Sequence, residues 1–282
     1  MTTDLFSLPA DHPGHFDEAY RRRRAAIAAV ADAYDGTGEI PDVTYAPEED
    51  AVWRVVSTEL GRRHRRDATP AYLAASQCLH LPTDRVPQLR EVDAALHSLT
   101  GWHLRPVAGL VPTRTFYGSL ADRVFLSTQY IRHHSVPYYT PEPDIVHEII
   151  GHANMLASPA YAELYRLAGE ASRRAIDDDA LERFSRIFWF TMEFGVCVVD
   201  GDRKAFGAGL LSSFGELEHY RRAELRPFDP DEMATLPYDI TAYQPILFDL
   251  GPPTELVERL GATFRDFEAT RTGGRSVGRL PR

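Results

Sequence analysis

Between Tyr139 and His152 the chain reads YTPEPDIVHEIIGH, a proline-punctuated turn followed at once by two imidazoles and a carboxylate within six residues. The prolines end one run of backbone and the apolar pattern after them starts a helix, so His147, Glu148 and His152 fall together on it. In the zinc-protease pattern HExxH the histidines are four apart, about 40° from alignment at 100° per residue, and one helical face presents both. Here the spacing is five, which sets the second imidazole about 140° away on an ideal α-helix. Both reach one ion only if the helix bends or ends between them, and Gly151 is the place where it could do so. Without a third group, the pair reads as a helix cap and a surface residue.

A third group stands downstream. The stretch IFWFTMEFG, from Ile187 to Gly195, sets Glu193 in a strongly aromatic helix, where an unpaired anion is costly to bury. A metal cation is one of the few partners that offsets that cost. Two neutral imidazoles and one carboxylate on one face of an ion make the facial triad of non-haem Fe(II) oxygenases, with positions left open for dioxygen and substrate. A zinc hydrolase is geometrically possible with the same donors, although its own HExxH is lacking.

The remaining chain bounds the setting. A length of 282 residues with 44% hydrophobic and 26% charged residues is globular, and a net charge of −10 disfavours nucleic acid or an anionic membrane as partner. Cys78 and Cys197 are far apart and outside any CxxC spacing, which points to a reducing cytoplasm. The first residues carry neither a basic nor an apolar leader, and no run reaches the ~18 apolar residues of a membrane span.

Helical patterns are expected over 17–34, from Pro47 into an Arg-rich end, over 70–80, 90–100 up to Gly101, 113–121, between 158 and 194, and over 254–270. The segment 102–111 reads as extended or looped, and Asp200-Gly201 between β-type residues signals a hairpin. The fold class is therefore mostly α, a single helical domain with a small β-hairpin and short-strand component. Residues 1–13 read as an N-terminal arm, 14–270 as the catalytic domain and 271–282 as a mobile tail.

Five ordered blocks then carry a resemblance: LRPVAGL (Leu104 to Leu110), STQYIRH (Ser127 to His133), YTPEPDIVHEIIGH, FWFTMEFG (Phe188 to Gly195) and FGAGLLSSFGELEH (Phe206 to His219). With Asp11-His-Pro-Gly14 before them, the chain resembles the pterin-dependent aromatic amino acid hydroxylases, in particular bacterial phenylalanine hydroxylases that consist of the catalytic domain alone. The resemblance implies Fe(II), tetrahydrobiopterin or a related tetrahydropterin, dioxygen as co-substrate, an aromatic amino acid substrate and a monomer. It implies His147, His152 and Glu193 as iron ligands, and Glu148, Val107, Gly109, Leu110, Thr113 and Phe116 around the pterin. Arg132 is implied as the guanidinium on the substrate carboxylate, assisted by Asp144, Thr140 and Ser212, and Trp189, Phe194 and Pro143 as walls around the substrate ring. Arg suits the first role because its fork holds a carboxylate at two points.

Some positions depart from the resembled pattern. Leu126 stands where a His is usual, Ala153-Asn154 where Val-Pro is usual, and Pro112 where a serine is common. Trp189 and the apolar Ile240 favour phenylalanine as substrate and tyrosine as product; hydroxylation at the meta position and a tryptophan substrate are the alternatives.

Overall fold

The computed structural model describes residues 8–240 and 242–267. The expected tail at 271–282 and the first seven residues of the expected arm lie outside the described residues. Of the arm, Leu8 and His12 are buried.

Helix ends follow local chemistry. Helix α1 (Glu18–Ala33) is capped by Asp17, which accepts from the Tyr20 amide at 2.9 Å. Helix α2 (Pro47–Asp67) opens on proline and three acidic residues and closes on His64, Arg65 and Arg66, both ends matched to the helix dipole. Thr69 caps α3 (Pro70–Cys78), and α4 (Leu89–Thr100) stops at Gly101, whose φ of 73° a side chain would resist. Then come β1 (His103–Pro106), α5 (Thr113–Leu120) and β2 (Val124–Ser127), the two strands pairing parallel from His103↔Val124 to Pro106↔Ser127.

The second half begins with a π-turn, His147–Ala153, continued by the single turn α6 (Asn154–Leu156). Helices α7 (Pro159–Arg174) and α8 (Asp178–Phe188) follow, and α8 runs into a second π-turn, Trp189–Glu193. The expected hairpin is β3 (Val196–Val199) and β4 (Asp202–Ala205), turned by Asp200 at φ 52° and Gly201 at φ 79°. Helices α9 (Ala208–Ser212) and α10 (Phe214–His219), strand β5 (Glu224–Pro227), helix α11 (Pro230–Thr235), strand β6 (Ile246–Asp249) and helix α12 (Pro253–Arg265) complete the described chain.

The hairpin joins β6 and β5 in a four-stranded sheet of order β4-β3-β6-β5. A main apolar core runs through the described residues, with Trp53, Trp102, Tyr165, Phe125, Phe188 and Phe206 among its fully buried side chains, and a smaller cluster joins Ile27, Val43 and Tyr130. The first π-turn lies inside that core. Ile145, Val146 and Ile149 are fully buried around it, and α9 and α4 pack on it.

Candidate metal centre and active site

The five-residue spacing is resolved by backbone hydrogen bonding rather than by a break. The His147–Ala153 segment is a π-turn, and the Asn154 amide closes on Ile149 O, five residues back. In such a turn residues five apart lie nearly above one another, so His147 Nε2 and His152 Nε2 stand 3.0 Å apart. Gly151 does not end the helix. It lets α9 pass close by, since a Cβ there would meet Ala208 O at 2.9 Å.

Glu193 reaches the pair from the second π-turn, whose five-residue closure is the Phe194 amide on Trp189 O at 2.8 Å. Its carboxylate lies 3.1 Å from His152 Nε2 and 3.9 Å from His147 Nε2. The chain after β4 crosses so tightly over this turn that a Cβ on Gly207 would sit 2.2 Å from Glu193 O. Each imidazole is oriented from behind: Ser212 Oγ meets His147 Nδ1 at 2.8 Å, and Tyr165 Oη meets His152 Nδ1 at 2.6 Å. With both Nδ1 atoms engaged, both Nε2 atoms face the carboxylate.

The charges fit a cation. Burial, helped by charge on His152, holds His147 down to about 4. Burial also pushes His152 down, but the charge and hydrogen bond of Glu193 outweigh it and leave His152 raised. Burial pushes the Glu193 carboxyl up, and His152, His147 and the Gly209 amide more than reverse that. Two imidazole nitrogens and a carboxylate thus converge on one place, where a divalent ion can bind three donors at once. The residues present therefore fit a metal.

Glu148 also offers an oxygen that, with the two imidazoles, spans no more than 4.8 Å. Its Oε1, however, accepts from Thr128 N at 3.3 Å and Thr128 Oγ1 at 3.1 Å, and burial pushes the carboxyl up to about 7. The Glu193 carboxylate, by contrast, faces both imidazoles, at 3.1 and 3.9 Å.

The other predicted residues fall on two sides. Val107, Gly109 and Leu110 lie on the loop between β1 and α5, where the Val107 amide donates to Ser127 O at 3.0 Å and Leu110 is 61% exposed. Thr113 starts α5. Phe116 meets Phe125 edge-on at 5.6 Å, and Phe125 lies 4.7 Å from the His152 ring, so this loop and helix connect to the metal centre through aromatic contacts.

Arg132 is buried against Asp144, with Nε on Oδ2 at 2.9 Å and Nη2 on Oδ1 at 2.7 Å. Asp144 also accepts from the His147 amide at 3.2 Å, so the same carboxylate opens the π-turn. Burial pushes Asp144 up, but Arg132 overrides this and keeps it ionised. Thr140 Oγ1 donates to Glu142 O at 2.9 Å within its own loop, and Pro143 O accepts from Thr128 Oγ1 at 3.3 Å. Ser212, expected beside the substrate carboxylate, has its hydroxyl on His147 Nδ1. Trp189 stacks on Tyr238 at 4.3 Å, lies 4.4 Å from Phe194, and donates Nε1 to Gln244 Oε1 at 3.0 Å.

Tyr165, Thr128 and Gln244, which hydrogen-bond His152, Glu148 and Trp189, are neighbours of the site that sequence reasoning missed. Tyr165 is one of many buried positions on α7, and nothing in the periodicity marks its hydroxyl as different from a core ring.

Two imidazoles and a carboxylate converging from two π-turns of a mostly helical fold are the donor set of a mononuclear facial-triad metal site. The sequence matches the family described as biopterin-dependent aromatic amino acid hydroxylase over residues 3–269, and the chain belongs to that family. It is 45% identical over 255 residues to a phenylalanine 3-hydroxylase of Streptomyces coeruleorubidus, covering 90% of this chain and 91% of that protein. It is 46% identical over 248 residues to the phenylalanine-4-hydroxylase of Caenorhabditis elegans, covering 86% of this chain and 54% of that protein. The chain thus spans nearly all of the bacterial relative and about half of the animal one. The fold also matches a Chromobacterium violaceum phenylalanine hydroxylase solved with iron(III) and 7,8-dihydrobiopterin, with a TM-score of 0.72, 27% identity, and coverage of 78% of this chain and 81% of that one.

Proposed function

We propose that this chain is a ferrous, tetrahydropterin-dependent monooxygenase that hydroxylates the ring of L-phenylalanine to give L-tyrosine. The observation that carries the reading is the convergence of His147 Nε2, His152 Nε2 and the Glu193 carboxylate on one point, with both Nδ1 atoms held by hydroxyls. These three residues hold the iron. Glu148, Val107, Gly109, Leu110, Thr113 and Phe116 form the pterin side. With iron, tetrahydropterin and dioxygen bound, the centre supplies the activated oxygen.

The chain's own residues orient the ring toward it. Asp144 holds the Nε–Nη2 edge of Arg132, and the Nη1–Nη2 edge is the one that would receive the amino acid carboxylate. Thr140 and Pro143 belong to the loop carrying that pair, and Trp189 and Phe194 wall the ring. The catalytic domain spans 14–270, and the enzyme works as a cytoplasmic monomer; the free thiols of Cys78 and Cys197 agree with that compartment. No helix among the described residues is long and apolar enough to cross a membrane.

A second reading is hydroxylation at the meta carbon. It is favoured by the 45% identity to a phenylalanine 3-hydroxylase along 91% of that protein. The test is incubation with Fe(II), tetrahydrobiopterin, dioxygen and each aromatic amino acid in turn, with product isomers separated by chromatography and identified by mass. Tyrosine from phenylalanine is the expected product. Dominant meta-tyrosine would establish the second reading, and absence of any hydroxylated amino acid would refute both.

A further inference from the structure

The π-turn at His147–Ala153 is held against an ordinary alternative. In an α-helix the amide of residue 154 closes on the carbonyl four back, Ile150 O; here it closes on Ile149 O. The acceptor that the α-register would use is occupied from the side. Tyr72 Oη donates to Ile150 O at 2.7 Å, the Asn154 side-chain Nδ2 donates to it at 3.1 Å, and the same Nδ2 reaches Tyr72 Oη at 3.1 Å.

This triangle is sealed. Tyr72 is fully buried and Asn154 is 4% exposed. The amide's orientation is fixed, because a carbonyl only accepts and Nδ2 must face it. Its Oδ1 is left buried without a partner, so Asn154 gives up one hydrogen bond to supply two others. Tyr72 is steadied in turn by His64, whose ring meets it edge-on at 5.1 Å and whose Nε2 donates to Leu211 O at 2.6 Å. Leu211 precedes Ser212, the residue behind His147. Side chains of α2 and α3 therefore reach both the π-turn and the end of α9.

We propose that Asn154 and Tyr72 are positioning residues for the metal centre: by occupying Ile150 O they keep 147–154 in the five-residue register that points His147 and His152 at one ion. The inference rests on the reading of His147, His152 and Glu193 as ligands. Neither residue touches the ion or the substrate; both act through the backbone. Once they are removed, the amide of residue 154 is the donor nearest the vacated carbonyl, and closing that bond restores the α-register. Five steps at 100° then leave the imidazoles about 140° apart, and one donor is lost.

The test is the Kd of Co(II) for the metal-free, full-length protein, measured by competition with a chromophoric chelator, for wild type, Asn154→Leu, Tyr72→Phe and the double variant. The unfolding temperature of each metal-free protein is read alongside. Each single variant, which leaves one donor on Ile150 O, should weaken Co(II) binding several-fold, and the double, which vacates that carbonyl, should weaken it most, by about 10- to 100-fold, as loss of an outer-shell support does. A merely structural role would lower the metal-free unfolding temperature and leave Kd in place. Tyr72→Phe keeps the ring and carries the test if Asn154→Leu does not fold. A wild type that binds one Co(II) and variants that bind it within twofold would overturn the proposal. A wild type that binds none at His147 and His152 would refute the ligand assignment beneath it.

Discussion

Arg132→Ala separates substrate binding from support of the fold, and the structure sets the size of both effects. The guanidinium and Asp144 are 3% and 0% exposed, and Arg132 gives that carboxylate two side-chain hydrogen bonds and its own backbone amide at 2.8 Å. Truncation leaves a fully buried anion with only backbone donors, a loss of about 3–5 kcal/mol of stability for breaking such a pair. Separately, a substrate carboxylate loses a charge-assisted contact of roughly 2–4 kcal/mol, or about 30- to 1000-fold in kcat/KM. Urea unfolding reads the first effect. The second is isolated by comparing phenylalanine with phenethylamine, which has the ring and amine but no carboxylate. Arg132→Ala should lower kcat/KM for phenylalanine far more than for the amine, and Arg132→Lys should rescue poorly because it cannot present the fork. Equal losses on both substrates would show that Arg132 only supports the site, and near-normal kinetics on both would remove it from the site.

Tyr165→Phe deletes the hydroxyl at 2.6 Å from His152 Nδ1 and should weaken metal binding about 10- to 100-fold; unchanged affinity in a metal titration would rule that support out. Trp189→Phe removes indole volume and the bond to Gln244, and should shift kcat/KM from phenylalanine toward tryptophan by no more than ~1–3 kcal/mol; a competition assay showing no shift would exclude Trp189 as a wall. His64 is held by burial from 6.5 down to about 4, so below pH 6.5 the unfolded chain takes up its proton first and stability falls as pH drops toward 4. That contribution amounts to about 3 kcal/mol at most, and His64→Gln should flatten the stability profile between pH 6.5 and 4; an unchanged slope in pH-dependent urea unfolding would contradict it.

What could be read from the sequence was whatever local chemistry controls. Gly101, Asp200-Gly201 and the proline and acidic start of α2 mark their turns and caps directly, and the structure places left-handed backbone at Gly101, Asp200 and Gly201. That Glu193, in an aromatic run, demands a partner could be read too. The means of bringing His147 and His152 together could not. A π-turn has no period of its own in the apolar pattern, and the acceptor that stabilises it, Ile150 O, is served by Tyr72 from 78 residues away. The parallel β1–β2 pair and the addition of β5 and β6 to the hairpin were equally hidden, because four-residue strands carry too little alternation to register. The contact of the Ser212 hydroxyl with His147 was hidden as well, because it depends on where the end of α9 packs.

The central claim is that two π-turns bring His147, His152 and Glu193 to a single iron. Anomalous diffraction from iron-loaded crystals, collected on both sides of the iron absorption edge, tests this directly. One peak bonded to His147 Nε2, His152 Nε2 and a Glu193 carboxylate oxygen, with 147–153 still in its π-turn, is the predicted result. No peak at this point, a peak bonded to Glu148 in place of Glu193, or a segment reverted to α-register would contradict it.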